Sequence, residues 1–172
     1  MDIMDAIYQR RSVRNYSDGA VAGEDLRKII AAGMMAPSAG NRQPWHFVTV
    51  TKKETLANVA ELNPNAKMAL RAPAGILVCG DERLEMYPGY WIQDCAAAVQ
   101  NMLLAAHGMD LGAVWTGIWP REDRVEGFRS LFALPEGVNP LAFIVIGRSP
   151  AERTAPDPPD RFRTERIHEG TW

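Results

Sequence analysis

Two short loops hold most of the side chains in this chain that could do chemistry on a small molecule. The first, YQRRSVRNYSDG (residues 8–19), sets Arg10, Arg11 and Arg14 around Ser12 where an apolar helical pattern gives out. Guanidinium forks match phosphate oxygens two at a time, and a serine hydroxyl donates one further bond. The same residues also suit a solvated helix end, because helix C-termini attract arginine. Taken alone, the segment leaves both readings open. The second loop, APSAGNRQPWHF (residues 36–47), gathers Ser38, Asn41 and Gln43 between Pro37 and Pro44, with backbone freedom at Gly40. A loop stiffened by prolines and lined with amides suits a heterocycle that both donates and accepts hydrogen bonds. Its alternative is an ordinary turn with the amides in water.

Other chemistries find no footing. His46, His107 and His168 each lack a second His, Cys or carboxylate at ligand spacing, so a metal enzyme is not expected. There is no G-x-S-x-G motif, and neither Cys79 nor Cys95 has an electropositive setting that would activate a thiol. Both cysteines sit in apolar runs (AGILVCGD and WIQDCAAAV) and read as buried, reduced side chains. Glycine-rich phosphate loops of the GxGxxG and GxxxxGK[ST] kinds are absent. The acids in GDERLEMYPGYW are too commonplace a grouping to indicate a hydrolase.

The elements that must position the two loops follow from hydrophobic period. With 172 residues, 47% of them hydrophobic, the chain has the length and apolar fraction of one domain with a substantial core. A net charge of −2 argues against a polyanion partner, which needs a basic face to displace counterions. No apolar run is long enough to cross a bilayer and the acidic start is unlike a signal peptide, so the expected location is cytoplasmic. Ile3, Met4 and Ile7 at helical spacing predict a helix over residues 2–10, and Leu26, Ile29, Ile30 and Met34 predict another that stops before Pro37. WHFVTVT, PAGILVCG, GAVWTGIWP and PLAFIVIGRSP read as strands. KKETLANVAEL and REDRVEGFRSLFALP read as helices, and WIQDCAAAVQNMLLAAHGMDLG as a long buried central helix ending at Gly108 or Gly112. The fold class expected is α+β, a mixed, mostly antiparallel sheet flanked by helices. Residues 1–149 would form the domain and residues 150–172, rich in proline and charge, an extended arm of it. Phe162, Ile167 and Trp172 have no use for solvent, so the arm docks either on a partner subunit or back on its own domain.

In combination and in this order, the motifs resemble the flavin-dependent nitroreductase family. The likeness lies in RRSVR after the first helix and in PSAGNRQPWHF. It continues through DCAAAVQNMLLAAHGMDLGAVWTGI to IGRSP and the Arg…His…Trp terminus, nearly the whole chain. The resemblance implies FMN bound at the interface of an intertwined homodimer, with the arm swapped onto the partner and NAD(P)H as reductant. Carried onto this sequence, Arg10, Arg11 and Ser12 would hold the phosphate and ribityl chain, and Arg14 would reach the pyrimidine edge. Pro37, Ser38, Ala39, Asn41 and Gln43 would come from the second loop, the first three from the partner. Thr116 and Gly117 would approach the flavin N5 edge by backbone, and Arg148 would add a phosphate contact. Lys67 is a second candidate for the cation near N1. Relatives often carry asparagine three residues before such a lysine, whereas here Pro64 stands there between Asn63 and Asn65.

No side chain is then required as acid or base, because flavin N5 carries the chemistry. The expected activity is reduction of flat acceptors such as nitroaromatics or quinones by ping-pong hydride transfer, with Tyr87, Tyr90, Trp91 and Trp119 as aromatic residues that either line the pocket or belong to the core. DERLEMYPGYW has the composition of a lid. The alternatives are a specialised flavin enzyme of the same fold, of the dehalogenase or azoline oxidase type, or a flavin-binding redox module without significant turnover.

Overall fold

The computed structural model describes residues 2–149 and 160–172. Among the described residues five α-helices surround four strands: α1 (Ile3–Gln9), α2 (Gly23–Met34), β1 (Trp45–Val50), α3 (Lys53–Leu62), β2 (Ala74–Asp81), α4 (Tyr90–Gly108), β3 (Leu111–Gly117), α5 (Glu122–Leu131) and β4 (Val138–Arg148). The strands lie in the order β1-β2-β4-β3. Every pair of neighbours is antiparallel. The expected mixture is thus corrected: among the described residues, parallel pairing is the single bridge between Ser12 and Ala113. The parallel partner is a stub of loop, too short to make a strand.

The sheet is covered on both faces. All eight positions of β2 are buried, so the alternation of strand side chains divides them between two layers. Ile76 and Val78 pack with Leu26, Ile29, Val99 and Met102 of α2 and α4, while Leu77 packs with Leu56, Val59 and Phe128 of α3 and α5. The continuous apolar run predicted for this segment has that physical origin. Helix α4 buries Trp91, Cys95, Ala98, Val99, Met102 and Ala106, the three- and four-residue spacing of a face laid on a sheet. Both cysteines are free and buried, as expected, and burial raises the Cys79 thiol to about 12. Among the described residues no helix is long and apolar enough to cross a membrane, and no group of His, Cys, Asp and Glu could hold a metal.

Residues 63–72, unassigned from the sequence, contain a short 3-10 segment, Pro64–Leu70. Asn63 opens it, its side chain accepting from the Asn65 N–H. The Asn-Pro pair is a turn initiator, so the signal was present. Of the arm, residues 150–159 lie outside the described residues. Residues 160–172 are exposed throughout and hold one 3-10 turn, Thr164–Arg166.

Gly80 marks the tightest helix–sheet approach. A methyl group there would lie 2.3 Å from Cε3 of Trp91, itself 1% exposed. Gly80→Ala is expected to destabilise the fold by about 3 kcal/mol, since the indole has no room to retreat. A urea unfolding curve with an unchanged midpoint would refute the packing described.

Candidate functional site

The arginine-serine segment does not stay a helix end. After α1 the chain runs extended along the outer edge of β3, where the Val13 N–H donates to the Ala113 carbonyl at 3.0 Å. Val13 is buried over Gly112, whose missing side chain lets the segment approach. Further on, the Tyr16 ring covers Gly147 and its hydroxyl donates to the Val13 carbonyl at 2.9 Å. Burial raises the Tyr16 phenol above its ordinary range. The Ser17 N–H then donates to the Arg148 carbonyl at 3.2 Å, and the Arg148 side chain passes beside Gly19. Ser12, Arg14 and Arg148 are thereby brought, exposed, to one end of the sheet, where β3 begins and β4 ends.

Arg11 is half-buried beside them. Its Nη1 donates to the carbonyls of Tyr8 and Arg10 at 2.6 and 2.9 Å. Its Nη2 is buried and finds no acceptor among the described residues. A buried guanidinium nitrogen without a partner is costly unless an anion arrives to meet it. Arg10 and Arg11 also line a cleft of about 550 Å³ with Ile7, Tyr8 and residues 160–162.

At the other end of β3 the two expected residues behave differently. Thr116 is 2% exposed, its hydroxyl donates to the Phe143 carbonyl at 2.7 Å and its backbone faces Phe143 of β4, so the backbone approach expected of Thr116 is not available and falls to Gly117 alone. Gly117 is half-buried, and nothing lies within 4 Å of the place where its Cβ would be. Its carbonyl accepts from Asn63 Nδ2 at 3.1 Å and from Arg124 Nη1 at 3.0 Å. Lys67 is exposed on the 3-10 segment that Asn63 opens. Asn63 itself is fully buried, so the asparagine nearest the family pattern serves the strand end.

The second loop sits at the opposite edge of the sheet. It leads directly into β1, an edge strand separated from β3 by three inter-strand steps, about 14 Å. Gly40, Asn41 and Gln43 all have left-handed backbone, at φ 56°, 54° and 51°. Three such residues in four need outside support. It comes from Ser38 Oγ, which accepts the Gln43 N–H at 2.9 Å, and from Asp94 Oδ1 on α4, which accepts the Ala39 N–H at 3.1 Å. The Asp81 N–H donates to the Pro44 carbonyl at 2.8 Å. Asn41 Oδ1 and Gln43 Nε2 bond to each other at 3.1 Å, so these exposed amides are partly engaged. Pro37 is exposed, while Ser38 and Ala39 are half-buried.

Residues 82–89 lean on this loop. Asp81 anchors them through a bidentate pair with Arg83 at 2.8 and 2.7 Å, and that guanidinium holds the Asp81 carboxyl below its usual range. Glu85 accepts the Trp91 N–H at 3.1 Å, and the Met86 sulfur lies against Gly40. Of the four aromatic residues named from the sequence, Trp91 belongs to the core, with half-buried Trp119 against it at 5.1 Å. Tyr87 and Tyr90 are exposed, edge to face at 5.1 Å.

Within one chain, then, the two loops do not meet. Arg11, Ser12, Arg14, Arg148 and Gly117 share the β3 edge, and Pro37, Ser38, Ala39, Asn41 and Gln43 stand at the β1 edge. Sequence reasoning missed Arg124 and Asp94, and named Asn63 only as the residue before Pro64. Asp94 left a trace as a lone carboxylate on the apolar side of α4, and Asn63 one in its Asn-Pro pair; Arg124 left none.

Comparison with known proteins decides the family. A profile described as the nitroreductase family matches residues 7–79 and 63–148. The chain belongs to the nitroreductase family. It is 49% identical over 172 residues to a protein of Methanothermobacter thermautotrophicus provisionally named NADH dehydrogenase/NAD(P)H nitroreductase, covering 100% of this chain and 88% of that one. A crystal structure with the same provisional name, from Parabacteroides distasonis, superposes with a TM-score of 0.92 at 40% identity, over 99% of this chain and 98% of that one. A provisionally named nitroreductase in complex with FMN, from Desulfovibrio desulfuricans, does so with a TM-score of 0.75 at 34% identity, over 88% and 91%. The sequence likeness and the oxidoreductase class it implies are thereby met at the level of the family.

Proposed function

We propose that this chain is an FMN-dependent NAD(P)H oxidoreductase that reduces flat acceptors such as nitroaromatics or quinones. The observation that carries the reading is the β3 edge. There the unmet Arg11 Nη2 and the cations of Arg14 and Arg148 stand along the same strand as Gly117, which has open space where a side chain would be. Glycine at Gly117 is required neither by a left-handed backbone nor by a neighbour; close approach of a ligand to the backbone accounts for it. These features fit a flat heterocycle with an anionic tail. A family neighbour in complex with FMN supports that choice of ligand.

In this reading Arg10, Arg11, Ser12 and Arg148 grip the phosphate and ribityl chain through charge-assisted bonds. Arg14, with Lys67 as the second candidate, holds a positive charge at the pyrimidine edge, where reduction places negative charge. Gly117 offers its N–H, whereas Thr116 is paired across to Phe143 of β4 through backbone and hydroxyl alike. When bound, FMN supplies the hydride chemistry, accepting from the nicotinamide and donating to the second substrate. Both substrates use one opening in turn, and exposed Tyr87 and Tyr90 offer aromatic faces to a flat acceptor there.

The second loop completes the site from another copy. We infer a homodimer because the loops stand at opposite sheet edges and because apolar residues are uncovered along α1: Ile3, Met4, Ile7 and Tyr8 are 64%, 49%, 47% and 59% exposed. Pro37, Ser38 and Ala39 then reach the β3 edge of the partner, and Asn41 and Gln43, expected on the chain's own side of the site, go with them because they stand on the same loop at the β1 edge. Phe162 and Trp172, 69% and 101% exposed, bury on that partner when the arm crosses over.

The test is the visible spectrum of the purified protein before and after acid release. The expected result is a flavin spectrum, released FMN at about one per subunit, and bleaching of the bound flavin by NADH or NADPH. A colourless protein that does not take up added FMN would remove this function.

A further inference from the structure

Two side chains from different elements converge on one carbonyl at the end of β3. Asn63 Nδ2, from the turn after α3, and Arg124 Nη1, from α5, donate to the Gly117 oxygen at 3.1 and 3.0 Å. A carbonyl at an open strand edge is ordinarily satisfied by water. Here it receives a guanidinium and an amide 0% exposed, more than solvation requires. The amide is itself fixed, since Asn63 Oδ1 accepts the Asn65 N–H at 3.1 Å.

The direction of the neighbouring N–H follows from the ladder. In an antiparallel pair, alternate residues turn their backbone groups toward and away from the partner strand. The Ala113 carbonyl accepts from Val13 on the outer side, so Ala113, Trp115 and Gly117 all turn outward from β4. The Gly117 N–H therefore opens on the same edge as Ser12 and Arg14, beside the free space at its Cα. Strand ends fray, and glycine is the residue least able to hold its own dihedrals. Holding the carbonyl from two sides fixes ψ of Gly117 and keeps the strand, with this N–H, in register to its last residue.

We propose that Arg124 and Asn63 are positioning residues that lock the Gly117 backbone so that its N–H faces the flavin. The inference rests on the FMN reading above. Arg124 also sets a permanent positive charge against the strand end, which favours an electron-rich ligand there.

The test compares Arg124→Lys, Arg124→Gln and Arg124→Leu with the wild-type protein. FMN affinity is read by fluorescence quenching, the bound-flavin absorption bands by spectroscopy, and flavin reduction by NADH or NADPH in stopped flow. Thermal unfolding of the apo forms checks the fold. Arg124→Leu is expected to weaken FMN binding and slow reduction each by about tenfold, and to move the bound-flavin bands toward those of free FMN. Arg124→Gln should fall between, and Arg124→Lys should restore most of the affinity and band shape. A general loss of structure would instead lower the thermal unfolding midpoint of the apo variants in step with the loss of flavin, and that result would also overturn the positioning role. Arg124→Leu with wild-type affinity, spectrum and reduction rate overturns the inference alone. Wild-type protein that takes up no FMN overturns the inference together with the reading beneath it.

Discussion

Gly117→Val is expected to abolish FMN binding while leaving the fold as stable as before, or more so. The two halves of that expectation come from different terms. Nothing lies within 4 Å of the Cβ position and no left-handed φ is imposed, so the side chain enters without clash or backbone strain. Gly117 ends a strand, where a β-branched residue is favoured over glycine by about 1 kcal/mol. The same space is what the proposed site uses for close approach, and three heavy atoms there hold a planar ligand off the amide. An FMN dissociation constant raised at least about hundredfold, with an unfolding midpoint unchanged or higher, is the expected pair of results. Normal FMN binding by the valine variant would show that the ligand does not lie against this backbone.

Removing the arm is expected to cost both the dimer and the flavin. In residues 160–172 the apolar side chains of Phe162, Ile167 and Trp172 are 69%, 56% and 101% exposed within one chain. A side chain so placed contributes little to a monomer, and each contributes about 1.5–3 kcal/mol when buried by a partner. In the proposed dimer their loss also leaves the partner's loop unsecured at the β3 edge. The chain truncated after Ser149 should sediment as a monomer, or lose its folded state if the dimer is obligate, and should take up no FMN. A milder variant separates these outcomes. Phe162→Ala with Trp172→Ala should keep the fold, dissociate at higher protein concentration than wild type, and lose flavin in parallel. Dimer formation and flavin content that ignore both changes would place the arm outside the interface.

Much of the fold was open to reading in the residues because the signals were local. The three- and four-residue spacing in α4 and the unbroken apolar run of β2 each report a burial pattern that a neighbouring element must meet. The loops that carry the candidate ligands were likewise visible, since prolines, amides and arginines concentrate there. The 3-10 segment after α3 escaped because its apolar residues keep neither the helix period nor the strand period. Trp91, entertained as a pocket residue, proved to be core. Composition alone gives an aromatic residue both roles.

By itself, then, the sequence determined the main helices and strands and the two loops, since each depends on residue types close together along the chain, and the order of those motifs along the chain pointed to the family. The tertiary structure decided what those loops can do. It turned RRSVR from a helix end into a strip along β3, left one nitrogen of Arg11 unmet, and carried Arg148 to Ser17 across 131 residues of chain. It put the second loop at the far edge of the sheet, so that a site using both loops calls for a second copy. It also brought Asn63 and Arg124 to the Gly117 carbonyl, a meeting no local pattern encodes. Such contacts depend on strand order and on how helices close over a sheet, and these are set by packing the whole core at once.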